Sequence, residues 1–418
     1  MGDPDRALSP AGGAGPGVAT GPRALAELVS GPNPLAPHYS RFRVAERLLL
    51  TGHSHQAWPD VAFEGQVEAW NDAAELADDK WSRAAEKAER VRQGFARLLG
   101  DRDGAIALDQ NTHELVMRFL SALPLAERPR LISTDGEFHT LRRQLDRLAE
   151  LPWLEVVRVS TRPASAIAER LIAAIDERTA AVMVSSVLFA NAHIVPGLDA
   201  VLAACRRAGA ELLIDVYHQL NVVPISLERD RLNEAFVVGG GYKYCQLGEG
   251  NCFLRVPPGR DHLRPVLTGW FSEFAHLAGR PDGTVRYGEG PARWAGATYD
   301  PTSHYRAARV FEFFEAQRLT PELLRAVSRH QVARLAERFD ALDLDPKRIA
   351  RDRAVPLESL GGFLALQSPD AGALAGRLHA RGVFCDTRGD LLRLGPAPYL
   401  TDTQLDAAIA ALGEATGR

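Results

Sequence analysis

Leu212-Leu213-Ile214-Asp215-Val216-Tyr217-His218 and, further on, Val237-Val238-Gly239-Gly240-Gly241-Tyr242-Lys243-Tyr244 each run apolar and then break off in chemically active residues. Short apolar runs of this kind read as strands buried on both faces of a parallel sheet. In such sheets ligands sit beyond the carboxyl ends of the strands. Asp215 therefore ends a strand where a carboxylate can face a ligand, although an Asp capping a loop or helix is the commoner use of that residue there. Gly239, Gly240 and Gly241 let the backbone turn sharply and approach a ligand closely. Lys243 follows that turn at the sheet edge. Alone it reads as a surface lysine; with Asp215 on a preceding strand the pair becomes specific.

Outward from this centre, apolar runs alternate with helical stretches. Strands are expected at Ala105–Leu108, Arg130–Ser133, Glu155–Val159, Ala180–Ser185, Glu211–Ile214, Ala235–Val238 and Cys252–Arg255. Helices are expected at Glu114–Leu123, Thr140–Leu148, Ala164–Ile175 and Leu198–Ala208. Val61–Leu99 reads as two helices anchored by Trp70, Leu76, Trp81, Val91, Phe95 and Leu98. The alternation implies an α/β fold, a mostly parallel central sheet sandwiched by helices. From Tyr305 the pattern changes. A long helix and a Pro-initiated helix after Thr320 lead into a strand at Phe363–Gln367, a helix at Ala371–Ala380, a strand at Leu391–Leu394 and a helix at Leu405–Leu412. This describes a smaller α+β C-terminal domain. The expected division is a disordered Gly/Pro/Ala-rich leader over 1–35, a large domain over 36–300 and a small domain over 301–418, with 36–60 a candidate to join the small domain.

A formal net charge of −4 gives no field that would draw nucleic acid or an anionic membrane. No apolar stretch reaches the length of a membrane span, and the N-terminus lacks the basic-then-apolar pattern of a secretory signal. The four cysteines, Cys205, Cys245, Cys252 and Cys385, lack CxxC spacing, which fits a reducing compartment; a cytoplasmic protein is expected. His53 and His55 have no evident third ligand, so no metal is expected. Neither a GxxxxGK phosphate loop, nor a GxGxxG turn after a strand, nor a GxSxG elbow is present.

A lysine amine and an acid at adjacent strand ends suit pyridoxal 5′-phosphate (PLP). That cofactor needs an amine to form an imine with its aldehyde and an acid to keep its pyridine nitrogen protonated, so that the ring can take up electrons. The released lysine then serves as local base.

At Asp-x-x-His followed by Tyr-Lys the chain resembles kynureninase and, more broadly, the class V aminotransferase group of fold-type I PLP enzymes. The likeness extends to Arg381-Gly382-Val383-Phe384-Cys385-Asp386-Thr387-Arg388, to Leu392-Arg393-Leu394-Gly395-Pro396-Ala397-Pro398-Tyr399 and to Gly269-Trp270-Phe271. Several ordered motifs in one chain are more specific than any one of them. The resemblance implies that Lys243 carries the cofactor, Asp215 pairs with the ring nitrogen, and His218 supports Asp215 or the ring oxygen. It gives Tyr242 the phosphate and Phe138 a ring-stacking role, with His139 as rival. Asn111 and Thr112 open a helix whose free N–H groups suit a phosphate, although a plain N-cap is the alternative. Ser185, or Ser186 beside it, is a further contact to ring or phosphate. Trp270 and Thr298 match residues that reach the phosphate of a neighbouring subunit, which implies a homodimer with shared sites. Arg393 is the candidate grip for the substrate carboxylate, because a guanidinium pairs with a carboxylate through two parallel hydrogen bonds.

The chain departs from the family on the substrate side. Leu141 stands where an acid is usual, Leu188 where a His is common, and His53-Ser54-His55-Gln56 replaces an Asn-Ser-Leu-Gly segment, leaving His53, Ser54 and His55 as substrate-side candidates. Cys385 invites a desulfurase reading, but its Gly-Val-x-Cys-Asp setting matches kynureninase, where it is no nucleophile; Asp386 and Arg388 are expected to pair structurally. The resemblance implies kynureninase-like cleavage at the β-carbon side chain of an amino acid. An aminotransferase or lyase on the same scaffold is the alternative. A non-catalytic PLP-fold binding protein is a third reading, against which the intact Asp215, His218 and Lys243 argue.

Overall fold

The structure, a computed structural model, describes residues 23–102, 104–279 and 283–417. A seven-stranded sheet forms its centre, in the spatial order Ala105–Asp109, Cys252–Val256, Phe236–Gly240, Glu211–Asp215, Thr179–Ser185, Arg130–Thr134 and Glu155–Val159. Cys252–Val256 runs antiparallel to both its neighbours and the other pairings are parallel. Every residue of Thr179–Ser185, Phe236–Gly240 and Cys252–Val256 is buried, which is why these segments read as mostly apolar runs; the exception, Arg255, is buried on Asp101 at 2.9 Å.

The period of two along each strand divides the core between the faces. Val182, Val184, Leu212, Ile214 and Val237 face the helices Lys80–Leu99 and Leu198–Ala208. Ala181, Met183, Leu213, Phe236 and Val238 face Thr112–Ala122 and His139–Leu148. Parallel pairing carries the carboxyl ends to one edge, where Ser185 registers with Asp215 and Asp215 with Val238. Lys243 and His218 follow just beyond.

The C-terminal part holds a four-stranded antiparallel sheet, ordered Asp386–Arg388, Leu391–Leu394, Leu364–Gln367 and Ala350–Arg351, covered by Ala371–His379, on which Asp402–Ala415 packs in turn. The N-terminal strand Leu48–Leu49 pairs in parallel with Val383–Phe384, and Thr51 bridges Gly395. Residues around 50 are thus hydrogen-bonded to the far end of the chain. Among the described residues no helix is long and apolar enough to cross a membrane.

Two sequence expectations need correction. Ordered structure begins before Leu35: Leu25–Val29 is helical, and Leu28 and Leu35 are fully buried. Residues 1–22 of the expected leader lie outside the described residues. Trp70 is no core anchor, being 77% exposed. Its helix, Val61–Leu76, buries Ala62, Gly65 and Ala69 instead, against the helix Thr302–Ala316. The approach is so close that a Cβ at Gly65 would lie 2.7 Å from the Tyr305 carbonyl oxygen. Small residues make that seam, so the large ones at the same helical spacing, Phe63, Val67 and Trp70, face outward.

Candidate active site

The carboxyl edge of the sheet opens on a cavity of about 260 Å³. Eight of the expected residues line it: Asn111, Thr112, Phe138, Ser185, Asp215, His218, Tyr242 and Lys243. At its base Lys243 is 5% exposed, and its Nζ lies 2.7 Å from His218 Nε2. The rings of Tyr217, Phe138 and Tyr242 surround the amine, their centroids 4.5, 5.4 and 5.5 Å away. Burial in this aromatic cage lowers the Lys243 pKa to about 7; Asp215 opposes the shift, and Arg393 and Arg388 add to it. His218, also buried, is held well below the usual imidazole range by burial and by the Lys243 charge, so it is neutral; its Nδ1 has no partner.

Asp215 accepts a hydrogen bond of 2.8 Å from the Tyr217 N–H. Desolvation raises its pKa above the usual carboxylate value, against the pull of that N–H and of Lys243. An acid with raised pKa, a lysine with lowered pKa and an aromatic face thus meet in one cleft, a combination that marks functional sites. Phe138 rather than His139 faces the lysine: His139 is exposed, and the Phe138 ring packs edge-on against Phe189, another lining residue. Asn111 acts as N-cap, its side chain accepting from Glu114 N–H at 3.0 Å, and Thr112 opens the helix at the cavity wall.

Glu137, which no sequence expectation singled out, is buried directly behind the lining residues Phe138 and Ser185. Its carboxylate, 2% exposed, accepts 2.6 Å hydrogen bonds from Ser185 Oγ and Thr134 Oγ1 and one of 3.2 Å from Ser185 N–H. Burial raises its pKa to about 7 in spite of these donors. It ties the ends of two strands together directly before Phe138. No sequence signal separates it from a surface glutamate; its burial comes from the adjacency of Arg130–Thr134 and Thr179–Ser185 in the sheet.

The other candidates divide. His55 is exposed and stacks on Tyr242, with ring centroids 5.0 Å apart and planes 16° from parallel. Ser54 Oγ donates to the Thr51 carbonyl at 3.2 Å and so closes its own turn. His53 is fully buried, with Nε2 2.7 Å from Asp386 Oδ1; burial lowers its pKa to about 4 against the pull of Asp386. Gly395 leaves room for that ring, since a Cβ there would lie 2.1 Å from His53 Nδ1. Arg393 is 1% exposed and does not line the cavity. Its Nε donates to Asp386 Oδ1 at 2.9 Å, its Nη2 donates to Asp386 Oδ2, and its Nη1 donates to the Phe189 carbonyl at 2.5 Å. The two-point fork expected to meet a substrate carboxylate is occupied by a carboxylate of the chain itself.

Trp270 and Thr298 lie elsewhere, hydrogen-bonded to each other at 3.3 Å in the wall of a second, larger cavity of about 960 Å³. Gln110 lines both cavities. Leu188 is buried core, so this loop presents Phe189 and not a polar group. Cys385 packs against the core and burial pushes its thiol up to about 12. Among the described residues no group of three or more metal-ligating side chains comes together.

The kynureninase of Pseudomonas fluorescens is 26% identical to the chain over 415 residues, covering 92% of this chain and 93% of that protein. An uncharacterized aminotransferase of Bacillus subtilis is 22% identical over 354 residues, covering 82% and 88% respectively. Among solved structures, a mutant of C-DES, a cystine C–S lyase, with glycine covalently linked to its PLP cofactor superposes with a TM-score of 0.80 at 16% identity, over 91% of this chain and 99% of that one. No protein-family model matches the chain.

Proposed function

We propose that this kynureninase-like chain, related in sequence to class V aminotransferases and built on the fold of fold-type I PLP enzymes, is a PLP-dependent enzyme of amino-acid metabolism. The carrying observation is Lys243, buried at the base of the cavity with its amine on neutral His218 and Asp215 nearby. The residues present fit the cofactor. They supply an amine that is half neutral near pH 7, an acid for the ring nitrogen, an aromatic face in Phe138, and a helix N-terminus at Thr112 with the Tyr242 hydroxyl for the phosphate. When bound, PLP supplies an aldehyde for amine exchange and a ring that stores electrons.

The chain's own groups would divide the remaining work. Lys243 Nζ would take the proton from the substrate α-carbon, and its lowered pKa suits a base at neutral pH. His218 Nε2 aims the lysine amine. Asp215 would hold the proton on the ring nitrogen. Glu137 fixes Ser185 and the strand end that carries Phe138. The aromatic cage excludes water from the amine and so strengthens each of these electrostatic effects.

The reaction proposed is kynureninase-like cleavage at the β-carbon side chain. Amine transfer to a keto acid is the competing reading on the same site. A desulfurase would need a nucleophilic thiol, and the burial of Cys385 argues against that role. A large cofactor-binding part up to about residue 300 with a smaller part beyond it, a cytoplasmic location and a homodimer with shared sites complete the proposal. Exposed Phe63, Val67, Trp70, Val266, Trp270 and Phe274 supply apolar surface for a second copy to cover.

The test is to purify the protein with the vitamer, record its absorbance, reduce with borohydride and map the modified peptide. An internal lysine adduct absorbing near ~420 nm and mapping to Lys243 is expected. Kynurenine, 3-hydroxykynurenine and a panel of amino acids, with and without a keto acid, then separate cleavage from amine transfer. A colourless protein in which borohydride fixes nothing at Lys243 would refute the reading.

A further inference from the structure

We infer that ionised Glu137 is a positioning residue: it holds the Ser185 hydroxyl proton out of the cavity, so that Ser185 meets the cofactor ring as a hydrogen-bond acceptor beside Asp215 and gives no proton to the phosphate. The inference rests on the PLP-enzyme reading above and deepens it.

The first observation is the donor inventory. Ser185 ends the strand Thr179–Ser185 and lines the cavity, and it has two groups that can donate, its backbone N–H and its hydroxyl. Both go to Glu137: the N–H to Oε1 at 3.2 Å and Oγ to Oε2 at 2.6 Å. An ionised carboxylate offers only lone pairs, so the hydroxyl proton lies on the Glu137 side and the lone pairs of Ser185 Oγ are left for the cavity. Thr134 is committed in the same way. Its Oγ1 accepts from the Gly136 N–H at 3.2 Å, and its own proton goes to Glu137 Oε1 at 2.6 Å. Ser186 does not line the cavity, and its Oγ donates to the Asp215 carbonyl at 3.2 Å.

The second observation is placement. Ser185 registers with Asp215 across the parallel strands, and both line the cavity. An acceptor there stands on the acid's side, where the reading above puts the ring N–H. The phosphate is assigned to Thr112 and Tyr242; its oxygens are acceptors and gain nothing from a serine whose donors are spent.

The third observation is that the pair has two polarities. Burial, with the Asp215 charge adding to it, raises the Glu137 pKa to about 7. The other titratable groups near by are Lys243 and His218 in the cavity, Asp135 on the same turn, where it accepts from Thr161, and exposed His139. A protonated Glu137 keeps Oε1 for its two donors and gives the proton on Oε2 to Ser185 Oγ, which then turns its own proton into the cavity. Glutamine does this at every pH. Two donors point at the Oε1 position, so the amide oxygen takes that place and the NH2 group donates to Ser185 Oγ.

The test measures PLP binding by the cofactor-free protein, not turnover. Glu137→Gln should weaken binding about tenfold at pH ~8.5, the scale of one reversed hydrogen bond, and hardly at all at pH ~5.5, where Glu137 is itself protonated. Taking the ratio to wild type cancels the titration of Lys243 and of the vitamer. In a Ser185→Ala background the same substitution should change binding by less than about twofold, an outcome that a merely structural role for Glu137 would not give. Urea midpoints show whether each variant is folded. Should Glu137→Gln not fold, the ratio of the Ser185→Ala dissociation constant to that of wild type serves instead, and it should rise between pH ~5.5 and ~8.5 as Ser185 turns from donor to acceptor. A Glu137→Gln effect that persists in full without Ser185, or ratios that stay flat with pH, would overturn the inference and leave the enzyme reading standing. A wild type in which borohydride fixes no PLP at Lys243 would fell the enzyme reading and this inference with it.

Discussion

If burial holds the Lys243 amine near neutrality, the cofactor-free protein should capture the vitamer with a pH dependence no ordinary lysine shows. With a pKa of about 7, the neutral fraction rises from about 0.09 at pH ~6 to about 0.97 at pH ~8.5, roughly tenfold, and then levels off. An unperturbed lysine with pKa ~10.4 would gain roughly 300-fold over the same interval and keep climbing. The assay follows the initial growth of the adduct band at fixed PLP. Each rate is divided by that of Nα-acetyl-lysine under the same conditions, which cancels the titration of the vitamer. The ratio should be flat below pH ~7 and fall about tenfold per pH unit above it. Stability follows with a definite sign. The folded pKa lies below the unfolded one, so the unfolded chain binds the extra proton between pH ~7 and ~10.4, and unfolding free energy should rise with pH in that window. Lys243→Met should remove the slope. A ratio that stays constant up to pH ~9 would refute the argument, because it would show Lys243 titrating as a solvated amine.

Other expectations follow from the same geometry. Asp386→Asn leaves Arg393 buried without its carboxylate; at a cost of about 3 kcal/mol, moderated by the partial exposure of Asp386, a 418-residue chain should lose roughly 3–4 °C in Tm by calorimetry. Burial acts to raise the Asp386 pKa, but the His53 hydrogen bond and the Arg393 guanidinium outweigh it and hold it well below the carboxylate range, so this contribution should persist to pH values below the ordinary Asp pKa and disappear only in stronger acid. Glu137 has the opposite sign: with its pKa raised by burial to about 7, stability should fall as pH climbs from about 4.5 to about 7, by on the order of 3 kcal/mol, and Glu137→Gln should flatten that segment of a urea-midpoint profile. Cys385→Ser should leave steady-state rates within about twofold of wild type, since the thiol is packed away from the cavity; a loss of 100-fold would restore the desulfurase reading.

Much of the central sheet was legible because its inner strands are buried on both faces and therefore mostly apolar. Glu155–Val159, Leu198–Ala208 and Leu391–Leu394 occupy the residues their patterns indicate. Lys243, Asp215 and His218 could be singled out because parallel strands deliver their carboxyl ends to one edge, so short motifs distant in sequence share a cavity. What escaped depends on which neighbour each face meets. Trp70 has the spacing of a core residue, but the seam on that side is made by Ala62, Gly65 and Ala69. The pairing of Leu48–Leu49 with Val383–Phe384 is too short and too distant in sequence to leave a periodic trace. Arg393 has the setting of a ligand-gripping residue; that its fork is filled depends on the register of a hairpin that places Asp386 opposite it. Glu137 is marked by no pattern at all, because only the sheet order brings Ser185 over it.

The hydrogen bond between His53 and Asp386 spans 333 positions of the chain. During synthesis, Lys243 and Asp215 leave the ribosome long before the segment that clamps His53 in place. The N-terminal loop bearing His55 can stack on Tyr242 earlier, but its strand pairing and the His53 contact must wait until the last hairpin emerges, and long-range closures of this kind slow folding. A nascent chain halted before Val383 would have the amine and its acid but no stitched roof above them, and vitamer capture by stalled chains of increasing length would show when the pocket first closes.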